Sequence, residues 1–418
     1  MYKVDLKKTR LVALSEGTSM LPMIHQDDEL DIRPVDFDSL KINDMAVFKE
    51  KDKLITHRVI YKTKKYVITK GDNNPTSDGK IYRRQIIGQV KMIKRQGKSF
   101  DLKQLYLIQS TSYFKEILKI STAFEKKSIK YVFLKGLPIN LYYQGSTPQR
   151  IYFDCDLMVD KSDFFQVKKI FNRLGYNIIS TSFDKKEYLP SDKKLEISFS
   201  RSINFLPVIF DVHFKPVFLM TQLSGLDVLY KDQLIEKMGT EFLKNRIYKK
   251  IGQFSFPILE KFDLIFYLIL HFFHHNYHGS FRLELLSQII KKEELKTKDW
   301  IEIARKINNY EAANFIYPGF ILLKKYFKTR IPNDFFKLLN TSNHKTIKKY
   351  SQMDIFTDEA RFNGGINRFV AIYQLSPSPF YIKILVFLNP QVEYFIFLYL
   401  KTRLFSFLSF FGSARQSH

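Results

Sequence analysis

Residues 130–159 read KYVFLKGLPINLYYQGSTPQRIYFDCDLMV, and two features in them ask for more than packing. The apolar, β-prone run 131–134 ends at Lys135-Gly136, and a second apolar run, 151–159, carries Asp154 and Asp156 inside it. Side chains alternate along a strand, so the two aspartates face one side and Cys155 the other. Carboxylates that close repel and raise one another's pKa unless a cation stands between them, and a divalent metal is the usual solution.

Outward from this stretch, helix and strand patterns alternate. Residues 105–124 show helical apolar spacing, and 162–174 begin at a capping Ser162 and stop at Gly175. Strands are expected at 176–180, at 195–199 and, last, at 208–214, where VIFDVHF places Asp211 and His213 on one face. The sum is an α/β sheet with three candidate acids, Asp154, Asp156 and Asp211.

A glycine turn, an Asp-x-Asp strand and a third acid on another strand resemble the nucleotidyltransferase fold. More narrowly, LKG at 134–136, Arg150 ahead of DCDLMV, LGY at 174–176 and FDVHF are similar to an uncharacterised bacterial nucleotidyltransferase-like family, over about residues 105–295. The gap from Gly136 to Asp154 is longer than in minimal members of the superfamily. The resemblance implies that Asp154 and Asp156 bind one or two Mg²⁺ ions that clamp a nucleoside triphosphate, and that Asp211 shares a metal or deprotonates the acceptor hydroxyl. Lys135 and Arg150 would offset phosphate charge, and Gly136 would let the backbone come close. A metal-free relative, or acids that merely cap turns, is the alternative.

Upstream, residues 10–93 show short β-prone runs between Gly, Asn and Asp turns, at 11–14, 29–34, 45–49, 54–61, 66–69 and 86–92, as in a small all-β domain. Within them lie GTSMLP (17–22), NDMAVF (43–48), HRVI (57–60) and KGDNN (70–74), with Asp78 beyond. A serine in a tight turn, a histidine inside a strand and acids in a later turn are the components of a Ser-His hydrolytic site. Together the four boxes resemble the signal peptidase I family, in the branch whose general base is His, over about residues 1–95. That resemblance implies Ser19 as nucleophile, His57 as base, Asp78 orienting the histidine and Asp72 supporting the site. Members that cleave exported proteins carry a transmembrane anchor ahead of the serine, whereas 18 largely polar or short-apolar residues precede Ser19 here. A degenerate fold kept for binding, or turn chemistry alone, is the alternative.

The chain of 418 residues, 45% of them hydrophobic, fits two or three domains. The net charge of +25 favours an anionic partner, but the lysines are scattered, and nucleic acid is not an expected one. Cys155 is the single cysteine, which excludes an intramolecular disulfide and suits a reducing compartment. The boundary is expected at the basic, Gly-containing junction 94–105, and helices are expected from 256 onward: 259–273, 301–327 broken at Pro318-Gly319, and 335–350. Residues 296–418 form the expected helical C-terminal region. His271, His274, His275 and His278 stand at i, i+3, i+4 and i+7, which would suit a metal on one helix face or a helix end abutting the nucleotide cleft. Residues 381–411 are strongly aromatic but interrupted at Asn389-Pro390 and Glu393, fitting either a docked helix pair or a peripheral membrane contact over anionic lipid.

The two resemblances constrain each other. Nucleoside triphosphates are cytoplasmic, and no span separates residue 19 from residue 156, so both sites are expected in the cytoplasm, with peripheral contact at the inner membrane face. The expectation is a bifunctional protein, a Ser-His endopeptidase joined to a Mg-dependent nucleotidyltransferase, acting on an intracellular peptide or protein. A transferase whose peptidase-like module only recognises substrate, and a non-catalytic scaffold, are the other two classes.

Overall fold

Gly, Asn and Asp punctuation in the N-terminal region produces strands too short to pack alone, and they gather into one sheet. The computed structural model describes residues 11–74, 76–145, 151–152, 154–179, 196–203, 206–216, 219–220, 226–342, 344–356 and 361–401. Its first sheet contains β1 (Leu11–Leu14), β2 (Glu29–Arg33), β3 (Met45–Glu50), β4 (Lys53–Lys62), β5 (Tyr66–Lys70), β6 (Lys80–Tyr82), β7 (Ile86–Arg95) and β8 (Lys98–Asp101). The strands are ordered β1-β2-β7-β3-β4-β5-β6, with β8 on β7, and every pairing is antiparallel. Register shifts in β2–β7, β3–β7 and β4–β5 mark bulges that bend the sheet.

Strand β3 shows why both faces are buried. Met45 and Val47 enter one apolar cluster with Leu30, Ile32 and Val90, whereas Ala46 and Phe48 enter another with Phe37, Val59 and Val67. The stretch 94–105, expected as a junction, is structured throughout. Gln96 and Gly97, at φ +48° and +76°, fold β8 back on β7, and helix α1 (Leu102–Lys126) follows directly.

The second sheet has the order β11-β12-β13-β10-β9-β15-β14. It comprises β9 (Tyr131–Phe133), β10 (Cys155–Val159), β11 (Asn177–Ile178), β12 (Glu196–Ile203), β13 (Leu206–His213), β14 (Ile247–Ile251) and β15 (Phe254–Ile258). At its centre β10 runs parallel to β13 and antiparallel to β9. Helices α1 and α3 (Phe164–Arg173) cover the face carrying Cys155, Phe210 and Val212, with Phe171 stacked on Phe199 at 4.2 Å. The opposite face carries the acids. Strand 208–214 is not the last, as expected: the β14–β15 hairpin turns at Gly252 (φ +60°) and joins the sheet through β9. Helices α2 (Leu137–Gln144) and α4 (Asp232–Lys244) were likewise not expected.

The remainder is helical: α5 (Lys261–His274), α6 (Ser280–Lys292), α7 (Thr297–Asn309), α8 (Ala313–Phe327), α9 (Asn333–Lys337), α10 (His344–Ser351), α11 (Arg361–Leu375) and α12 (Phe380–Lys383). The break expected at Pro318-Gly319 lies instead between α7 and α8, where Glu311 takes φ +51°. Helix α8 continues through Pro318 because Gly319 is pressed on α5: a Cβ there would sit 2.6 Å from Ile269 Cδ1. The helix expected at 335–350 is two short ones, α9 and α10. Beyond α12, residues 380–388 and the helix Pro390–Lys401 meet at a 76° bend. Among the described residues no single helix is long and apolar enough to cross a membrane, though this bent pair meets the length and composition needed. Residues 402–411 of the aromatic segment lie outside the described residues.

Candidate active sites

Parallel pairing of β10 with β13 sets Asp156 opposite Asp211, and Asp154 stands one residue ahead of β10. Strand alternation turns all three carboxylates to one face, where each offers an oxygen within 4.8 Å of the others. Lys135, at the end of β9, bridges the first two, with Nζ 2.9 Å from Asp154 Oδ2 and 2.8 Å from Asp156 Oδ2. Gly136 follows with φ +104° and opens α2; a Cβ there would lie 3.1 Å from Cys155 Cα, so only glycine brings this turn against the DCD strand.

The electrostatics divide the acids by role. Burial alone would raise the Asp156 carboxyl, but the Lys135 ammonium and the His213 hydrogen bond outweigh it and hold it below its ordinary value. His213 Nε2 is 2.9 Å from Asp156 Oδ1, and its Nδ1 stands 3.4 Å from Glu196 Oε2, an ion-pair distance without hydrogen-bond alignment. Asp211 behaves oppositely: burial and then the Asp156 charge push it up to about 7, against the hydrogen bond donated by Ser198 Oγ at 2.5 Å. Ser198 and Glu196 were missed in the sequence. The alternation of Glu196, Ser198 and Ser200 with Ile197 and Phe199 along β12 is the signal that would have placed them beside Asp211 and His213. Arg150 lies outside the described residues.

The four histidines do not form one helical face. Helix α5 ends at His274, and Asn276 and Tyr277 take φ +52° and +59°, which turns His278 away. His271 and His275 touch, Nε2 to Nε2 at 3.3 Å, and burial holds both well below the ordinary imidazole pKa. Among the described residues the cluster suited to a metal is the aspartate trio, not these imidazoles.

The N-terminal sheet assembles a second constellation. Ser19 Oγ is 3.0 Å from His57 Nε2, and His57 Nδ1 is 2.7 Å from Asp78 Oδ2. Thr69 Oγ1 donates to the same Asp78 oxygen at 2.7 Å. The serine turn is fixed from the GDNN box: Asn73 N–H donates to Ser19 O at 2.7 Å, and a Cβ on Gly71 would meet that same oxygen at 2.7 Å. Asp72 does not join this chain. Both its oxygens take the Arg58 guanidinium, at 2.6 and 2.5 Å, and Arg58 also reaches the Tyr106 hydroxyl and Asn43 O, so Asp72 holds the residue beside His57 rather than the histidine.

An α/β sheet with three convergent carboxylates on adjacent strands, beside a lysine and a glycine turn, defines a protein of the nucleotidyltransferase class. The chain belongs to the uncharacterised nucleotidyltransferase family, whose model matches residues 103–328. No curated protein matches the chain. Among solved structures, similarity to the solution structure of the antibiotic-resistance factor ANT(2'')-Ia covers 49% of this chain and 95% of that one, at 11% sequence identity and a TM-score of 0.32.

Proposed function

We propose that the chain transfers a nucleotidyl group from a nucleoside triphosphate to a hydroxyl of a peptide or protein, with Mg²⁺ held by Asp154, Asp156 and Asp211. The observation that carries this reading is the convergence of three carboxylate oxygens within 4.8 Å on one strand face. That donor set is all oxygen and suits a hard divalent cation. Such an ion would supply charge neutralisation at the phosphates. The chain's own groups do the rest: Lys135 and the α2 N-terminus attract the phosphates, and Asp211 either completes the cation site or, left uncoordinated, takes the acceptor's proton. The acceptor oxygen bonds to the α-phosphorus, the bond from that phosphorus to the bridging oxygen breaks, and pyrophosphate leaves with the electron pair.

A second activity, serine-type hydrolysis of a peptide bond, is favoured by the Ser19–His57–Asp78 chain of contacts at 3.0 and 2.7 Å. In that reading His57 takes the Ser19 proton, Asp78 holds the imidazole, and the signal-peptidase resemblance names the substrate as a peptide. Both readings place the protein where nucleoside triphosphates are available, and exposed Phe380, Tyr381 and Leu388 beside Lys383 suit peripheral contact with an anionic membrane. The experiment is incubation of the chain with each α-labelled nucleoside triphosphate, Mg²⁺ and cell extract, comparing wild type, Ser19→Ala and Asp156→Asn. Label that survives Asp156→Asn ends the transferase reading; cleavage that survives Ser19→Ala ends the hydrolase reading.

A further inference from the structure

Cationic side chains from several elements act on the groups around the acid face. Helix α5 ends beside Lys135: burial first, then the Lys135 and Arg282 charges, keep His271 neutral. His275 is held neutral by burial and by Arg282. Helix α11 adds Arg368, whose Nη1 stands 3.4 Å from His274 Nε2. Among the described residues Arg368 makes no ion pair, and its Nε is buried without a hydrogen-bond partner. Burial pulls its pKa down to about 10, and Glu196 is the one acid whose charge opposes this. Glu196 is 3.4 Å from His213 Nδ1, and His213 holds Asp156. The one acid whose charge reaches Arg368 is thus itself paired with the histidine that holds Asp156.

A desolvated guanidinium with unused donors is unfavourable in the absence of an anion, and its planar fork matches phosphate oxygens. We propose that Arg368, assisted by Arg282 and Lys135, forms a subsite for the anionic tail of the triphosphate, opposite the aspartates. This rests on the nucleotidyl-transfer reading and names the residues of α6 and α11 that complete its nucleotide site. An anionic group on the acceptor would present the same chemistry, and the test separates the two.

The full chain is titrated calorimetrically with Mg²⁺-tripolyphosphate and with each of the four Mg²⁺-bound α,β-methylene nucleoside triphosphates, for wild type, Arg368→Gln and Arg368→Lys. Arg368→Gln is expected to weaken tripolyphosphate and its cognate nucleotide alike by about 10- to 100-fold, with Lys restoring part of the loss. Its melting temperature without ligand should not fall, because the arginine has no ion pair to lose. Unchanged affinity in Arg368→Gln, where wild type binds, overturns the subsite; so does a fall in melting temperature without a change in affinity, which marks a structural role. Loss confined to acceptor KM assigns the arginine to an anionic acceptor and overturns the triphosphate assignment. If wild type binds neither probe, the nucleotidyl-transfer reading itself fails, and the subsite with it.

Discussion

Asp211→Asn should remove the pH dependence that this one carboxyl imposes on folding. Burial and the neighbouring Asp156 charge raise its pKa from 3.8 to about 7, so between those values the folded chain keeps a proton that the unfolded chain has released. The stability from that proton is fully present below pH ~4 and is lost as pH rises through about 7. The full span corresponds to roughly 4 kcal/mol, of which roughly 2–3 kcal/mol falls between about pH 5 and pH 8.5. Urea unfolding of wild type and Asp211→Asn across that interval, with chelator present, isolates the carboxyl because every other group titrates in both proteins. The variant should gain on wild type by about that 2–3 kcal/mol as pH rises. Mg²⁺ at the alkaline end should then stabilise wild type more than the variant, since the ionised carboxyl is the form that binds a cation. A difference between the two proteins that stays flat with pH refutes the reasoning, because Asp211 would then titrate as in the unfolded chain.

Asp72→Ala leaves the Arg58 guanidinium, 6% exposed, without its carboxylate, and should cost about 3–5 kcal/mol in denaturant unfolding; Asp78→Asn, which strands no cation, should cost far less. Gly136→Ala forces a Cβ to 3.1 Å from Cys155 Cα at φ +104°, and calorimetry should show a loss of about 1–3 kcal/mol with weaker nucleotide binding. Ser19→Ala should lower peptide cleavage by about 10³-fold or more while nucleotidyl transfer, followed by pyrophosphate release, stays at the wild-type rate. Phe380→Ser with Leu388→Ser, positions each 71% exposed, should reduce co-sedimentation with vesicles containing anionic lipid; equal sedimentation would remove the membrane contact from the proposal.

Local pattern carried most of the second sheet's chemistry. The alternation in DCDLMV and VIFDVHF was enough to turn Asp154, Asp156, Asp211 and His213 to one face, because a period of two leaves no choice of side. The serine, histidine and Asp78 were legible for a different reason: a turn serine, a strand histidine and an acid beyond a Gly-Asp-Asn turn follow one another in the order of a known family. How Asp72 would support the site was not legible, since nothing local announces that Arg58 takes both its oxygens. Hairpin β14–β15 was hidden by Lys249, Lys250 and Pro257, which break the apolar alternation; pairing with β9 decides it instead. The α7–α8 break was misplaced because Pro318 outranks Glu311 as a sequence signal, while packing of Gly319 on Ile269 keeps the helix going. Arg368 and Glu196 stood outside every motif, since the charge interaction between them links α11 to β12, elements far apart in the sequence.

Helix α1 explains why the two sites sit on a shared frame rather than on separable halves. Tyr106, Gln109 and Tyr113 lie at i, i+3 and i+7, which puts them along one face. Tyr106 meets Arg58, the neighbour of His57; Gln109 Nε2 donates to Tyr152 O at 2.6 Å, two residues ahead of Asp154; and Tyr113 donates to Ile209 O, two residues ahead of Asp211. The polar ends of these contacts are buried, so parting them would leave unsatisfied groups at a cost of about 1–3 kcal/mol each. Leu102, Tyr106 and Ile151 also complete the apolar cluster under Met20 and Met23, beside the serine turn. A second seam reinforces the first: Ser77 Oγ, next to Asp78, donates to Phe356 O at 2.7 Å, and Ser280 Oγ, at the start of the helix that carries Arg282, donates to Ile60 O at 3.1 Å. The residues that place the serine, the acids and the helix carrying Arg282 are thus tied to one another through buried and part-buried contacts. On the proposed reading, a peptide engaged at Ser19 would be held on the same frame that positions the nucleotide, which is the ground for proposing that one substrate meets both chemistries.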